Sequence, residues 1–479
     1  MPATDTTETE NQESGAEKTP AAETLASALT ELQALLGKRC SLAEAVRSTH
    51  GKGESWHPLQ APDAVCFAES TQEVAAIVTI CARYRIPVIP YGSGTCIEGQ
   101  LQAVHGGISI DLSAMNAILA VHSDDMDCRV QAGVTRKQLN SHLRDTGLFF
   151  PIDPGADATI GGMAATRASG TNAVRYGTMR ENVLSLTYVD ASGAIVQTGT
   201  RARKSSAGYD LTHLLVGSEG TLGVITEIGL RLHGQPEAVL AAVADFPSVD
   251  AAVQTVIETV QLGIPMARIE LVDSTSIRAI NAYSHTDYPE RDTLFLEFHG
   301  TDASVEEQVS TFRELAVAQG SERFEQARFE EERSRLWQAR HDAYYAIMAA
   351  HPGKEGMSTD VCVPISSLAI IINWMREVIV ESPFESEVLG HVGDGNFHMI
   401  FCITPGSETE LAAANQLNEQ LVHRAIELGG TCTGEHGIGL GKLKYLRREH
   451  GDAAVDTMQS IKRALDPNNL MNPGKTVAV

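Results

Sequence analysis

Hydrophobic positions recur along the chain with two periods, which predict helices and short strands. Leucines from Glu23 to Val46 follow a helical spacing, and apolar runs of strand length occupy residues 64–67, 87–90, 108–112 and 128–134. The order of these elements is irregular and lacks the repeated unit of a parallel βαβ array. The pattern therefore favours an α+β fold.

A capping signal marks the helix that follows the first strand. Ser70 and Glu73 form a capping box, in which each side chain can bond a backbone amide that the first helical turn leaves free. The helix is predicted to run to Tyr84. The other elements predicted in this region are a helix at 136–145 and strands at 186–189, 195–196 and 226–232.

The composition changes near Gly234-Gln235-Pro236-Glu237, where a second alternation begins. Strand, helix and strand follow one another there, which is typical of a ferredoxin-like α+β domain. Glycine-rich loops return in the last fifty residues. The elements predicted after residue 236 are strands at 238–246, 267–271 and 293–299, a strand before His398, and helices at 249–262, 303–319, 333–350, 364–380, 407–428 and 453–465.

Composition and charge narrow the class of protein. A chain of 479 residues exceeds what one hydrophobic core usually serves, so more than one domain is expected. The net charge of −24 argues against nucleic acid as a partner, because phosphate backbones require basic surfaces. The same charge suits a basic protein partner such as a small cytochrome. No apolar run approaches the roughly 20 residues that a membrane helix needs.

Residues 1–23 contain acidic and small polar residues, no arginine and no apolar core. They resemble neither a secretory signal nor a mitochondrial presequence, and a disordered acidic tail is predicted. The eight cysteines form no CxxC pair, which indicates free thiols in a reducing compartment. Together these features predict a cytoplasmic protein, with peripheral association at the inner membrane as an alternative.

The segment Tyr91-Gly92-Ser93-Gly94-Thr95 follows a predicted strand and raises the question of a dinucleotide site. It fails the Rossmann pattern, because the third glycine would fall at position 97, which is Ile97. Taken alone, a Gly-Ser-Gly loop is more often a tight turn. Further glycine-rich segments lie at 154–163, 168–177 and 217–223, and such a set suits a long, thin cofactor such as FAD.

Two histidines on either side of a Gly-Asp-Gly turn predict a metal site. His391 and His398, with Glu435 from a later glycine-rich segment, are a three-ligand set that leaves a coordination position open. The neighbouring His436 is a candidate base. A lone histidine in an apolar strand is usually a core residue. Here three histidines and one glutamate lie next to glycine-rich turns, and this combination favours a metal site. Asp394 is either a ligand or part of the turn, and we favour the turn.

These segments, with the terminal Asn472-Pro473-Gly474-Lys475, resemble the FAD-linked D-2-hydroxyacid dehydrogenases of the vanillyl-alcohol oxidase (PCMH) superfamily. The resemblance covers about residues 45–477 and is greatest to the D-lactate dehydrogenase (cytochrome) type. It implies a PCMH-type FAD-binding domain, a ferredoxin-like α+β substrate (cap) domain and a C-terminal segment that completes the active site. The corresponding boundaries are 1–57 for the tail and first helix, 58–235, 236–429 and 430–479.

The resemblance also implies particular contacts with FAD, and binding is expected to be non-covalent because no histidine lies between Tyr91 and Gly99. The first glycine loop would hold the pyrophosphate, and the terminal asparagine would meet the edge of the ring. The implied cofactor residues are Tyr91, Gly92, Ser93, Gly94, Thr95, Asp157, Thr159, Gly161, Gly162, Ser169, Asn172, Tyr176, Glu219, Gly220, Ile225 and Asn472.

The implied reaction is oxidation of a small D-2-hydroxy acid, D-lactate to pyruvate, by hydride transfer to flavin N5. Electrons would pass to cytochrome c or a quinone-linked acceptor. A divalent ion, zinc or manganese, would hold the substrate oxygens, and His436 would take the hydroxyl proton. Arg340 matches the arginine that relatives use to bind the substrate carboxylate; the alternative is a surface arginine paired with Glu331 or Glu332.

Two further residues are predicted to contact substrate. Asn396 lies between the metal histidines. Tyr344 occupies a position where relatives that use 2-hydroxyglutarate have threonine, which favours a small monocarboxylate. Two alternatives remain open from the sequence: the FAD subunit of a glycolate oxidase or another D-2-hydroxyacid dehydrogenase, and a flavin-free metal-binding module.

Overall fold

The computed structural model describes residues 22–479, and the predicted acidic tail lies almost wholly outside the described residues. All eight cysteines are free thiols. Helices and strands in the N-terminal part, residues 22–234, are as follows. In chain order they are α1 (Ala22–Leu36), β1 (Cys40–Ser41), α2 (Glu44–His50), β2 (Ala64–Phe67), α3 (Thr71–Tyr84), β3 (Val88–Tyr91), β4 (Ile108–Asp111), β5 (Ile118–His122), β6 (Asp127–Gln131), α4 (Arg136–Leu143), β7 (Leu148–Phe149), α5 (Ile160–Thr166), α6 (Ala173–Tyr176), α7 (Met179–Asn182), β8 (Val183–Val189), β9 (Ile195–Gly199), α8 (Leu211–Leu215), β10 (Val224–Arg231) and β11 (His233–Gly234).

Two sheets share one core in this part. Strands β2, β4 and β3 pair in parallel, with β1 antiparallel at the edge, and β5-β6-β10-β8-β9 form an antiparallel sheet. Helix α3 begins as predicted, since the Ser70 hydroxyl accepts a hydrogen bond from the Glu73 amide at 3.2 Å. The core also includes Met471 from the far end of the chain. The C-terminal segment therefore completes the N-terminal part.

The predicted helix from Glu23 to Val46 is wrong beyond Leu36. The chain leaves the helix at Gly37, whose φ of +57° is the left-handed conformation that glycine accepts most easily. A short 3-10 turn and β1 follow, and a separate helix, α2, begins at Glu44. Strand β5 was not predicted; its residues are partly exposed throughout, so they give no clear alternation.

A large antiparallel sheet forms the middle part of the chain, residues 235–429, and a short C-terminal segment, residues 430–479, follows. Within residues 22–479 no helix is long and apolar enough to cross a bilayer. The elements, in chain order, are β12 (Ala238–Phe246), α9 (Val249–Gln261), β13 (Met266–Val272), α10 (Ser274–Ser284), β14 (Asp292–Gly300), α11 (Asp302–Ala318), β15 (Phe324–Ala327), α12 (Glu330–His341), α13 (Ala343–Ala350), β16 (Glu355–Ser358), β17 (Val361–Cys362), α14 (Ile365–Ile379), β18 (Glu385–His391), β19 (Asn396–Ile403), α15 (Glu408–Glu427), α16 (Leu446–His450) and α17 (Asp452–Leu465).

The strand order of this sheet is β15-β12-β14-β13-β18-β19-β16, with β17 also paired to β19. The first four strands in sequence lie in the order fourth, first, third, second, which is the ferredoxin-like arrangement predicted. Helices α9, α11, α14 and α15 cover one face, and α10, α12 and α13 cover the other. The predicted single helix at 333–350 is two helices, separated at Asp342.

Candidate active site

A cavity runs between the glycine-rich loops of the N-terminal part and ends at the C-terminal segment. Glu435 and His436 form part of its wall, so it reaches the residues predicted to bind metal and to take a proton. The predicted cofactor residues that line it are Tyr91, Gly92, Ser93, Gly94, Thr95, Thr159, Gly161, Gly162, Ser169, Glu219, Gly220, Ile225 and Asn472.

The loop of residues 92–95 offers unpaired backbone amides at this cavity. Within the described residues, none of its N–H groups donates a hydrogen bond to the protein. Gly94 has a φ of +79°, and a Cβ atom on Gly161 would lie 2.6 Å from the Cβ of Ala132, so both positions require glycine. Unpaired amides in a tight loop suit an anion such as the pyrophosphate of FAD.

Three of the predicted cofactor residues do not line the cavity. Asp157 is exposed. The Asn172 side-chain oxygen accepts a hydrogen bond from Arg268 Nε at 2.9 Å, and the Tyr176 hydroxyl lies 2.7 Å from His299 Nδ1. These two side chains therefore have protein partners in the middle part of the chain. Their predicted contacts with FAD stay predictions that this arrangement does not support.

Asn472 joins the C-terminal segment to two loops of the cavity. Its amide nitrogen donates to the carbonyl oxygens of Gln100 at 3.1 Å and Glu219 at 2.7 Å. Its side-chain oxygen accepts from Lys475 Nζ at 2.6 Å. The buried amide is thus fully engaged in holding the cavity wall. Its predicted contact with the flavin ring stays a prediction.

The β18–β19 hairpin brings the two predicted metal-binding histidines together. Leu389 lies opposite His398, so His391, two residues further on, shares the same face of the sheet. The two imidazole centres are 5.6 Å apart. Glu435 Oε1 lies 3.3 Å from His391 Nε2 and 3.2 Å from His398 Nε2. The three predicted ligands therefore converge, at spacings that suit one cation.

Each histidine is oriented through its other ring nitrogen. His391 Nδ1 lies 2.8 Å from the Glu270 carboxylate, and His398 Nδ1 lies 2.9 Å from the Thr359 carbonyl oxygen. Both Nε2 atoms are left for a ligand, the arrangement common for metal-binding histidines. Burial opposes ionisation of Glu435, but the charge of His391 and the hydrogen bonds from both imidazoles hold its carboxyl pKa well below the ordinary value. The cluster therefore presents a carboxylate.

Asp360 holds the loop that carries Glu435. Its buried carboxylate and its carbonyl also bond the ammonium group of Lys442, at 3.2 and 3.0 Å. Burial alone would raise the Asp360 pKa, but Lys442 and nearby histidines lower it well below its ordinary value. One oxygen of this carboxylate accepts hydrogen bonds at 2.7, 2.9, 3.2 and 3.0 Å from the Thr433 hydroxyl and the amides of Gly434, Glu435 and His436.

Asp360, His398 and His436 form a second group of side chains close enough to share an ion. The oxygens of Asp360 are already occupied by the loop amides, Lys442 and Asn396. Within residues 22–479, the carboxylate of Glu435 has only the two histidines as partners, which makes the predicted group the better cation site.

His436 lies between the cation cluster and the cavity. Its ring stacks on His398 with centres 5.2 Å apart and planes inclined by 7°. Its Nδ1 has no hydrogen-bond partner within the described residues, and Glu98 Oε1 is 3.8 Å away. Burial lowers the imidazole pKa, but Asp360 and Glu98 outweigh that effect and raise it. A buried, basic imidazole at the cavity wall fits the predicted proton acceptor.

Arg340 is buried and is not a surface arginine paired with Glu331 or Glu332. Its Nη2 lies 2.7 Å from the carboxylate of Glu270, which also contacts His391. Glu270 was not predicted, and it links the proposed carboxylate clamp to a predicted metal ligand.

The remaining predicted residues differ in position. Asn396 is buried; its amide nitrogen donates to Asp360 at 2.8 Å, and its oxygen has no partner within residues 22–479. Tyr344 is partly exposed on α13 and packs against Gly356 of β16, so it is not among the residues around His391. Asp394 is an exposed turn residue, as favoured.

Comparison with known protein families agrees with this geometry. A model of the FAD binding domain matches residues 62–199, and a model described as FAD linked oxidases, C-terminal domain, matches residues 235–476. A probable mitochondrial D-lactate dehydrogenase from Danio rerio is 52% identical over 440 residues, which cover 91% of this chain and 88% of the relative. The chain belongs to the FAD-linked oxidases. The predicted family and FAD as cofactor are thereby confirmed, whereas the divalent metal stays a prediction.

Two other relatives extend the comparison. A mitochondrial D-lactate dehydrogenase [cytochrome] from Arabidopsis thaliana is 46% identical and covers 94% of this chain and 80% of its own. A glycolate oxidase subunit from Bacillus subtilis is 34% identical and covers 87% and 89%. The prediction of a cytoplasmic location is wrong on this comparison, because the relatives with the higher identities are named as mitochondrial proteins.

Solved structures share the fold at low sequence identity. p-Cresol methylhydroxylase superposes with a TM-score of 0.80 at 17% identity, covering 96% of this chain and 98% of that one. An alkyldihydroxyacetonephosphate synthase gives 0.74 at 20% identity, with 94% and 84% covered. The predicted PCMH-type α+β fold is confirmed.

Proposed function

We propose that this chain is an FAD- and metal-dependent dehydrogenase that oxidises D-lactate to pyruvate. One observation carries the proposal: Glu435 and His436 belong both to the cavity wall and to the cluster around His391 and His398. A substrate bound at the cluster would therefore face a ligand in the cavity. The relatives named D-lactate dehydrogenase, at 52% and 46% identity, support the choice of substrate.

Bound FAD supplies the hydride acceptor, and a divalent ion supplies charge that lowers the pKa of the substrate hydroxyl. His391, His398 and Glu435 are the residues that would hold the ion. Arg340 would bind the substrate carboxylate through the part of its guanidinium that Glu270 does not use. Binding at two points fixes which face of C2 meets the flavin, and this is the basis of selectivity for one enantiomer.

The two hydrogens that leave the substrate take separate routes in this proposal. Bound FAD would accept the C2 hydrogen with its electron pair, and a ring nitrogen of His436 would take the hydroxyl proton. The raised pKa of His436 makes the imidazole a stronger acceptor for that proton. Pyruvate would be the product, and an acceptor protein would take up the two electrons.

A small cytochrome is the proposed acceptor. The net charge of −24 favours association with a basic partner, and the Arabidopsis relative is a D-lactate dehydrogenase of the cytochrome type. If this is right, the reoxidation rate falls as ionic strength rises, because salt screens attraction between opposite charges.

Anaerobic reduction of the bound flavin tests the proposal. Purified protein should carry flavin. The visible absorbance of this flavin should disappear on addition of D-lactate, and it should disappear much more slowly on addition of L-lactate. Removal of metal with EDTA should stop the reduction, and Zn²⁺ or Mn²⁺ should restore it. Faster reduction by glycolate than by D-lactate would favour the glycolate oxidase alternative. Protein without flavin after gentle purification would contradict the proposal altogether.

A further inference from the structure

Glu270 is a fully buried carboxylate near the end of β13, with a relative exposure of 0%. Both of its oxygens lie 2.8 Å from His391 Nδ1, and Oε2 also lies 2.7 Å from Arg340 Nη2. One side chain thus contacts a cation ligand and the proposed substrate clamp. These two residues are far from each other in sequence and lie on different elements, β18 and α12.

The contact with His391 fixes the state of the imidazole. A carboxylate that accepts from Nδ1 keeps a proton on that nitrogen, which leaves Nε2, 3.3 Å from Glu435, as the ring atom that would bind a cation. Glu270 is fully buried and has a partner on either side, His391 Nδ1 at 2.8 Å and Arg340 Nη2 at 2.7 Å, so both contacts hold its carboxyl group in place.

The contact with Arg340 leaves part of the guanidinium available. Within the described residues, Arg340 Nε is buried and has no hydrogen-bond partner. Arginine carries five N–H donors in a fixed plane, and Glu270 engages only one end of the group. The unpartnered donor points to an anionic ligand that completes the set, since buried donors rarely stay unpaired.

We propose that Glu270 is a positioning residue that fixes Arg340 and His391 relative to each other. The distance between the clamp and the cation is thereby matched to one molecule that carries adjacent carboxylate and hydroxyl groups. This inference rests on the proposed function, because it requires a cation at His391 and a 2-hydroxy acid as ligand. A 2-hydroxy acid needs both anchors at once, so moving either anchor weakens binding of the whole molecule.

The chain provides a matched control. Glu297, on the neighbouring strand β14, is also a buried carboxylate between an arginine and a histidine, Arg268 and His299. Its histidine is not in the cation cluster. Glu270→Gln and Glu297→Gln therefore remove the same charge from similar surroundings, and only Glu270 contacts a histidine of the predicted cation cluster.

The experiment measures metal affinity and substrate kinetics on purified holoenzyme. Zn²⁺ and Mn²⁺ dissociation constants come from competition with a chelator, which needs no turnover. In Glu270→Gln the constants should rise about 10- to 100-fold. At saturating metal, KM for D-lactate should rise about tenfold with a smaller fall in kcat, the result of losing one charge-assisted hydrogen bond at the clamp. Glu297→Gln should leave both quantities within about twofold.

Glu270→Asp provides a second test in case Glu270→Gln does not fold. It keeps the charge but is one methylene shorter, so it cannot reach both partners, and it should show the same losses to a smaller degree. Unchanged metal constants and KM in both Glu270 variants, in protein that still reduces its flavin with D-lactate, would overturn the positioning role alone. Wild-type protein that binds neither ion would instead overturn the proposed function.

Discussion

Two buried carboxylates on neighbouring strands have the same kinds of partner and different consequences. Glu270 lies between Arg340 and His391, and Glu297 lies 3.4 Å from Arg268 and 2.8 Å from His299. Burial opposes ionisation of both, and in both the arginine and the histidine outweigh it and lower the pKa. Judged by burial, charge and pKa, the two Arg–Glu–His groups are alike.

They differ in what lies beyond the histidine and the arginine. In the Glu270 group, His391 also contacts Glu435, and both residues belong to the predicted cation cluster. In the Glu297 group, His299 contacts the Tyr176 hydroxyl at 2.7 Å. Arg268 contacts Asn172 at 2.9 Å, so this group joins the middle part of the chain to the N-terminal part. Contact with the predicted cation cluster, rather than electrostatic perturbation, separates the Glu270 group from the Glu297 group.

Replacing the arginine of each group should give the largest contrast. Arg340→Met removes the charge that would bind substrate carboxylate and should lower kcat/KM for D-lactate by about 100-fold or more, since loss of one partner of a buried charge pair with a ligand costs about 3 kcal/mol of binding. Both variants break a buried ion pair and should lower stability, but Arg268→Met should leave kcat/KM within about threefold. Steady-state kinetics and thermal unfolding of both variants measure the difference.

Equal losses of kcat/KM in the two arginine variants, with flavin content unchanged, would contradict the prediction that the Glu270 group contributes to substrate binding and the Glu297 group does not. A lysine control sharpens the test. Arg340→Lys retains the charge but lacks the planar fork, so it should recover only part of the lost activity.

Local features of the site could be predicted from the sequence, because their signals lie within a few residues. The Ser70 N-cap, the glycine loops and the two histidines around the turn at Asp394 are of this kind. The second half of the predicted capping box is wrong, because the Glu73 carboxylate accepts from the amide of Glu69 and not from that of Ser70. Glu270 carries a local signal too, as an acid inside the apolar strand Met266–Val272. Glu297 carries the same signal in Asp292–Gly300, so the signal alone could not have separated them.

The contacts that complete the site depend on pairing over long distances in the chain. Asp360 holds the amides of residues 434–436, and Glu219 accepts from the amides of Ile438 and Gly439 at 2.7 and 2.8 Å. The residues next to Asp360 and Glu219 in the sequence give no indication of these partners. The same limit explains Asn172 and Tyr176, for which the family resemblance implied flavin contacts while the fold gives them Arg268 and His299 as partners.

The pH dependence of the unfolding free energy should show whether the charge of Glu297 stabilises the protein. The pKa of the Glu297 carboxyl is lower in the folded state than in the unfolded state, where it is about 4.3. The ionised carboxylate therefore stabilises the folded state fully above about pH 4.3, and this stabilisation is lost as the pH falls through the folded-state pKa. Glu297→Gln should therefore be less stable than wild type by about 1–3 kcal/mol near pH 7, and the gap should narrow below about pH 4. Urea unfolding at several pH values measures this. A gap that is independent of pH would show that the carboxylate charge is not what stabilises the contact.

The smallest expected effect lies at the hydroxyl of Tyr176. Tyr176→Phe removes the hydrogen bond to His299 but keeps the ring packed edge-on against Phe149 and His233. Unfolding free energy should fall by about 1 kcal/mol. Because the hydroxyl already has a protein partner, flavin content and kcat/KM should stay within about twofold. Loss of flavin without loss of stability would instead support the direct contact with FAD that the family resemblance implied, and the Glu297 group would then belong to the cofactor site.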